Sequence, residues 1–289
     1  MTKAGKNKFR LGVHTSIAGG VSQSIERAAA LKCDTLQIFS HNPRQWKVNS
    51  ISPEEAERFA SLREKYDISP AFIHTSYLIN LVSLSNETRK KSIRLLASEM
   101  EIADLLGAEY VVLHTGSVQG VDEKEARAAA AESILKAFGP RRFRASLLLE
   151  NTAGERGDIT SSIRALAEII DRCGEETVAG ICLDTCHAFA AGYDLAMIQG
   201  VKGLADEIEE SIGFDRLKLI HLNDSKKPVG SGVDRHEHIG QGCIGLKGFK
   251  SILSDKRFSS VPLVLETPKK TDEDDKMNLR KVRNMLSKL

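Results

Sequence analysis

A single (β/α)8 barrel is the fold class this sequence predicts, and three observations predict it. Eight short apolar runs recur along the chain, with their ends roughly 36 residues apart on average. Segments of helical period separate them, so strand and helix alternate throughout. Seven of the eight runs end in a histidine or an acid, which is how strands finish when their C-terminal ends open onto a shared polar face.

In chain order the runs are FRLGVH to His14, DTLQIFS to Ser40, AFIH to His74, YVVLH to His114, SLLLE to Glu150, GICLD to Asp184, LKLIH to His221 and VPLVLE to Glu266. Each has strand length. Helices are predicted in VSQSIERAAALK, SPEEAERFASLREKY, ETRKKSIRLLASEMEIADLLG, DEKEARAAAAESILKAF and SSIRALAEIIDRC, where apolar residues fall three and four apart. A less regular helix is expected within LAMIQGVKGLADEIEESIG. Crossovers of this length join parallel strands, and an open doubly wound sheet is the weaker alternative because no GxGxxG follows the first run. The IAGG after His14 reads as a tight turn into the first helix.

The chain of 289 residues is long for one domain, but β/α barrels reach that size, so a single domain over 1–289 is expected, with residues 1–8 as a flexible basic tail. The tail lacks the apolar segment of a secretory signal, no apolar stretch spans a bilayer, and the five cysteines fit neither a disulfide framework nor a zinc ribbon. An intracellular, cytoplasmic protein without membrane contact is expected, with its thiols reduced. A net charge of +2 argues against a wholly basic nucleic-acid binder and leaves room for local patches at Arg44 and Lys47, Lys226 and Lys227, or Lys269 and Lys270.

His74, His114, Glu150, Asp184, His221 and Glu266 share the C-terminal face of the predicted barrel. Any one of them has a structural alternative; Asp184 alone would read as the N-cap of a following helix. Six together are hard to explain that way, because burying so many ionisable groups unpaired costs several kcal/mol each by rough estimate. A cation offsets that cost. Carboxylates and imidazoles without cysteine suit zinc, manganese or ferrous iron and are too rich in imidazole for magnesium or calcium. The loop GSGVDRHEHIGQG adds Asp234, His236 and His238, two of which could bind a metal jointly.

HTSYLINL, VVLHTGS, LLLENTAG, GICLDTCHAFAAGYD, HLNDSKKPVGSGVDRHEHIGQG and LVLETP occur in this order between residues 74 and 268. This constellation resembles the endonuclease IV family of apurinic/apyrimidinic endonucleases, over nearly the whole chain. The resemblance implies a TIM barrel carrying three Zn2+ ions, with Mn2+ able to replace zinc in part. One zinc would sit on His74, His114 and Glu150; a second on Glu150, Asp184, His221 and Glu266; a third on His187, Asp234 and His236. His14, His41 and His238 are left as supporting or structural residues. The three ions would outweigh the four carboxylates and leave positive charge for a phosphodiester.

The resemblance further implies hydrolysis of double-stranded DNA 5′ to an abasic site by a monomeric enzyme, leaving a 3′-hydroxyl and a 5′-deoxyribose phosphate. Glu150 and Glu266 would be the catalytic carboxylates, holding the metals that activate water. Arg44, Tyr77 and Leu78 would enter the duplex at the lesion. One position departs from the family: Thr75 follows His74 where Asp is usual, which puts the support of that histidine in question. A sugar isomerase of the xylose isomerase type is the alternative, with one or two metals and no task for His187, Asp234 and His236. A non-catalytic binder of damaged DNA is another, and the complete set of ligand positions speaks against it.

Overall fold

Strand β1 (Leu11–His14) pairs on one side with β2 (Thr35–Phe39) and on the other with β10 (Leu263–Leu265), so the first and last strands of the sheet are neighbours. Between them run β3 (Ala71–His74), β4 (Tyr110–Leu113), β5 (Ser146–Glu150), β6 (Val178–Asp184) and β7 (Leu217–His221), each parallel to the one before. The eight strands close into one barrel. These elements belong to a computed structural model that describes residues 9–289, so the expected tail at 1–8 lies outside the described residues.

The helices packed around the barrel are α1 (Ser22–Ala30), α2 (Pro53–Tyr66), α3 (Asn86–Leu106), α4 (Glu123–Phe138), α5 (Ile163–Cys173), α7 (Ile198–Ser211), α8 (Gly245–Ser254) and α9 (Asp272–Leu286). Ser52, Ser85, Asp122 and Ser162 cap α2, α3, α4 and α5 by accepting from main-chain N–H groups. Such a cap contributes about 1 kcal/mol. Three features were not set out by the pattern of the chain: α8, α9, and a short helix α6 (Thr185–Ala191) that begins at the end of β6. A two-stranded antiparallel ribbon, β8 (Asp224–Ser225) with β9 (His236–Glu237), follows β7. Among the described residues no helix is long and apolar enough to cross a membrane.

Inside the barrel Phe72, Val112, Leu148, Cys182, Leu219 and Val264 form one packed, fully buried layer. Each stands two residues before His74, His114, Glu150, Asp184, His221 or Glu266. Side chains of a strand alternate faces with a period of two, so a residue two positions further on points the same way, one level higher. The apolar layer is therefore a floor, and six functional-looking groups rest on it by register alone. Gly180 permits the close approach of β6 to its neighbour, because a Cβ there would collide with the Arg216 carbonyl oxygen in the turn that leads into β7.

Candidate metal centre

The nine acids and imidazoles singled out from the sequence gather in three groups, two of which share a residue. In each group the donor atoms lie within 4.8 Å of one another: His74, His114 and Glu150; Glu150, Asp184, His221 and Glu266; His187, Asp234 and His236. Glu150 joins the first two. Its Oε2 is 3.3 Å from His74 Nε2 and 3.2 Å from His114 Nε2, and its Oε1 is 3.1 Å from His221 Nδ1. Glu266 Oε2 lies 3.2 Å from the same His221 nitrogen. In the third group Asp234 reaches His187 Nε2 at 3.2 Å and His236 Nε2 at 3.3 Å.

The main chain and one amide set which nitrogen of each ring faces the acids. His74 Nδ1 donates to the Thr75 carbonyl at 2.8 Å, His187 Nδ1 to that of Asn151 at 2.9 Å and His236 Nδ1 to that of Glu266 at 2.9 Å. The support of His74 is thus a backbone carbonyl, and the side chain at position 75 is not what holds it. His221 is turned the other way, its Nε2 donating to Gln37 Oε1 at 2.8 Å, so that Nδ1 faces Glu150 and Glu266. In all four rings the proton is committed outward and a lone pair points at carboxylate oxygens. Lone pairs at that distance repel unless a proton or a cation lies between them.

Two buried atoms in this cluster, Glu150 Oε2 and His236 Nε2, have no hydrogen-bond partner among the described residues. Orphaned acceptors of this kind are costly in a native interior, and aimed at one another's neighbours they suit cations. The electrostatics agree. Burial opposes the charged form of His187, yet Asp184, Asp234 and Glu150 hold its pKa well above normal; His221 is raised likewise against burial, with Cys182, Glu150 and Glu266 as the causes. Asp234, despite burial, is drawn down to about 2 by His187 and His236, and Glu150 and Glu266 also lie below the usual carboxylate range. The acids favour their charged form and draw protons onto the facing nitrogens of His187 and His221, positions that a bound cation would otherwise satisfy. Cys182 and Cys186 adjoin the cluster, but burial pushes both thiols up to about 12, so they stay protonated and are poor ligands.

Asp184 has both of the roles open to it. Its Oδ1 accepts from the His187 N–H at 2.9 Å as the N-cap of α6, while Oδ2 accepts from Asn223 Nδ2 at 2.6 Å beside His221 and His236. The cap is why β6 ends in an acid and why His187 stands three residues later, turned into the same centre. Asn151 holds the Asp184 main chain from both sides, and Asn223 Oδ1 accepts from the Glu266 N–H.

The sequence reading did not single out Gln37, Asn151, Asn223 or Glu99. Gln37 donates to Glu266 Oε1 at 2.7 Å and lies 3.0 Å from His14 Nδ1, besides accepting from His221. Its signal was available: one amide at an inward position of an otherwise apolar strand. His14 touches Glu266 and Gln37, His41 bonds to the Gln45 carbonyl, and His238 meets Asn278; none belongs to a donor group.

Two adjoining clefts of about 340 and 310 Å3 open over the centre and share His74, Tyr77, His114 and Asp234 in their walls. Tyr77 stands at their common rim, 66% exposed, with its ring edge-on to Phe39. Leu78 is half-buried beside it and Arg44 is exposed on the preceding loop. Ser76 Oγ donates to the Pro43 carbonyl at 2.7 Å and so ties the two loops together. Of the expected basic patches, Lys226, Lys227 and Lys47 are exposed, whereas Lys269 is ion-paired with Asp275.

An eight-stranded barrel with a histidine and carboxylate centre at its strand ends defines a class, and residues 25–289 match the model of the xylose isomerase-like TIM barrel family. A Chloroflexus aurantiacus protein named probable endonuclease 4 is 41% identical over 279 residues, covering 96% of this chain and 98% of its own. The crystal structure of endonuclease IV from Thermus thermophilus superposes with a TM-score of 0.87 at 40% identity, covering 97% of this chain and 100% of that one. A D-tagatose 3-epimerase-like protein, 19% identical with a TM-score of 0.73 and covering 96% and 97% of the two chains, shares the fold. The chain belongs to the endonuclease IV family within the xylose isomerase-like TIM barrels.

Proposed function

We propose that the protein is a metal-dependent endonuclease that cuts double-stranded DNA on the 5′ side of an abasic site, leaving a 3′-hydroxyl and a 5′-deoxyribose phosphate. The observation that carries this reading is the three-part donor cluster lying beneath an exposed aromatic rim. His74, His114 and Glu150 would hold one zinc, Glu150, Asp184, His221 and Glu266 a second, and His187, Asp234 and His236 a third. Ions bound there would supply Lewis-acid stabilisation of the phosphodiester's charge and would acidify water, the chemistry expected of a multi-metal phosphodiesterase.

The chain's own residues do the rest. Glu150 and Glu266 fix the second group through His221, and the carbonyls of Thr75, Asn151 and Glu266 keep the ring lone pairs turned inward. Tyr77, Leu78 and Arg44 would enter the duplex where a base is missing. Unstacking and kinking cost on the order of a few kcal/mol, least at a deformable lesion, which gives selectivity without reading a sequence. The His187, Asp234 and His236 group favours this reading over a sugar isomerase, which needs fewer metals.

The test is a duplex with one abasic analogue, incubated with zinc-loaded protein. A single cut should appear, with a 3′ end that a polymerase extends. Protein that carries three zinc ions and leaves this duplex intact would refute the reading.

A further inference from the structure

Glu99 lies on α3, a helix whose other inward side chains include Leu95, Leu96, Met100 and Ala103. Its position in the 3.6-residue period points it into this apolar layer, and it is fully buried. An uncompensated acid is an expensive occupant of such a place, and the ring it meets, that of His41, is kept towards its neutral form by burial and offers no compensating charge. What it meets are the roots of two loops. The Ser76 N–H donates to both carboxyl oxygens, at 3.1 and 3.3 Å. Ser40 Oγ lies 3.3 Å from Oε1 and His41 Nδ1 lies 3.4 Å from it. His41 in turn donates through Nε2 to the Gln45 carbonyl at 3.1 Å, and Ser76 Oγ reaches the Pro43 carbonyl.

Pro43 and Gln45 flank Arg44, and Ser76 precedes Tyr77. One buried carboxyl group therefore sits at the junction of the Arg44 loop and the loop that carries Tyr77 to the cleft rim. We infer that Glu99, acting through Ser76 and His41, is the positioning residue that sets Arg44 and Tyr77 at the height and spacing needed to enter a damaged duplex. The inference rests on the nuclease reading above for its substrate, but the brace itself is a property of the loops. Burial pushes the Glu99 carboxyl up to about 8, so near neutral pH it is mostly protonated, and a glutamine would copy its pattern of one donor and one acceptor edge.

The test uses the zinc-loaded full chain with Glu99→Leu, Glu99→Gln and Ser76→Ala, the last keeping Glu99 but cutting the strut to Pro43. Trp46, the only tryptophan, lies on the Arg44 loop and reports its position by emission. Glu99→Leu should raise KM for an abasic duplex at least ~10-fold, lower the preference over undamaged DNA, leave kcat within a few-fold and shift Trp46 emission to the red, with zinc content unchanged. Glu99→Gln should restore KM and emission, and Ser76→Ala should move both in the direction of Glu99→Leu. Parent-like KM and emission in Glu99→Leu would overturn the inference. So would parent-like values in Ser76→Ala should Glu99→Leu not fold, or a Gln variant as impaired as the Leu one. If the parent itself does not nick DNA, the nuclease reading fails, while the Trp46 comparison still decides whether Glu99 sets the loop.

Discussion

Replacing Gln37 with Leu removes a buried amide that touches two members of the centre, Glu266 and His221, and the neighbouring His14. The side chain volume is nearly kept, so the barrel should persist, but Glu266 loses a donor at 2.7 Å and His221 loses the acceptor at 2.8 Å that keeps its Nε2 protonated. The ring is then free to change tautomer or turn, and its Nδ1 no longer faces Glu150 and Glu266 by default. Losing a supporting partner of this kind costs about 10- to 100-fold in metal affinity, or roughly 1.4–2.7 kcal/mol. The loss should fall on the ion held by Glu150, Asp184, His221 and Glu266. Titration against a chromophoric chelator at fixed pH should show one zinc released ahead of the others, and a melting curve in excess chelator should report how much of the fold's stability is independent of metal. A Gln37→Leu protein that keeps three ions with parent affinities would refute the argument from tautomer control.

Elemental analysis of carefully purified active protein should find three metal ions per chain with zinc dominant, and one ion or none would sink the trinuclear assignment. Glu266→Gln should cut nicking by at least ~10²-fold while circular dichroism shows the barrel intact, since the change weakens the second donor group and leaves the floor untouched. Tyr77 and Leu78 both changed to Ala should weaken binding to abasic duplex and reduce the preference over undamaged DNA at unchanged metal content; a fluorescent base opposite the lesion that unstacks as with the parent would remove the wedge. Stability should also depend on Glu99. Its pKa is about 8 folded against about 4.5 unfolded. A raised acid contributes most below the unfolded value and loses that contribution as pH rises towards 8, at most about 1.4 kcal/mol per pH unit. His41 and His74 are the titratable neighbours that face it. Thermal melts from pH 6 to 9 should therefore show Glu99→Gln gaining on the parent as pH rises, and parallel curves would contradict the shift.

The strand ends were legible in the sequence because each combines a short apolar run with a polar stop, and the barrel geometry turns eight such stops into one face. His74, His114, Glu150, Asp184, His221 and Glu266 followed from that rule; spacing in a glycine-rich loop offered Asp234, His236 and His238, and the family resemblance singled out the first two. Glu99 was not legible. In ASEMEIADLLG it looks like one more acid on a solvated helix, and only packing of α3 against the barrel buries it. Gln37, Asn151 and Asn223 act through bonds between residues 33 to 229 positions apart, which no local pattern carries. Helix α6 escaped for a different reason: TCHAFAA makes only about two turns, and its cap is the ligand-like Asp184 itself.

The closure of the barrel has a consequence for how the centre comes into being. Its donors are spread from β3 to the end of β10, and the last of them, Glu266, meets His14 of the first strand. A chain growing from its N-terminus acquires His74, His114 and Glu150 early, but Glu150 cannot share its second oxygen with a complete group until synthesis has passed His221 and Glu266. Pairings between residues as far apart in sequence as Leu11 and Leu263 are also slow to form. A half-made molecule on the ribosome thus holds a fragment of the cluster and no finished centre. The second donor group is complete only when the strand that leads to Glu266 has joined the first, so barrel closure and assembly of the centre are the same structural event.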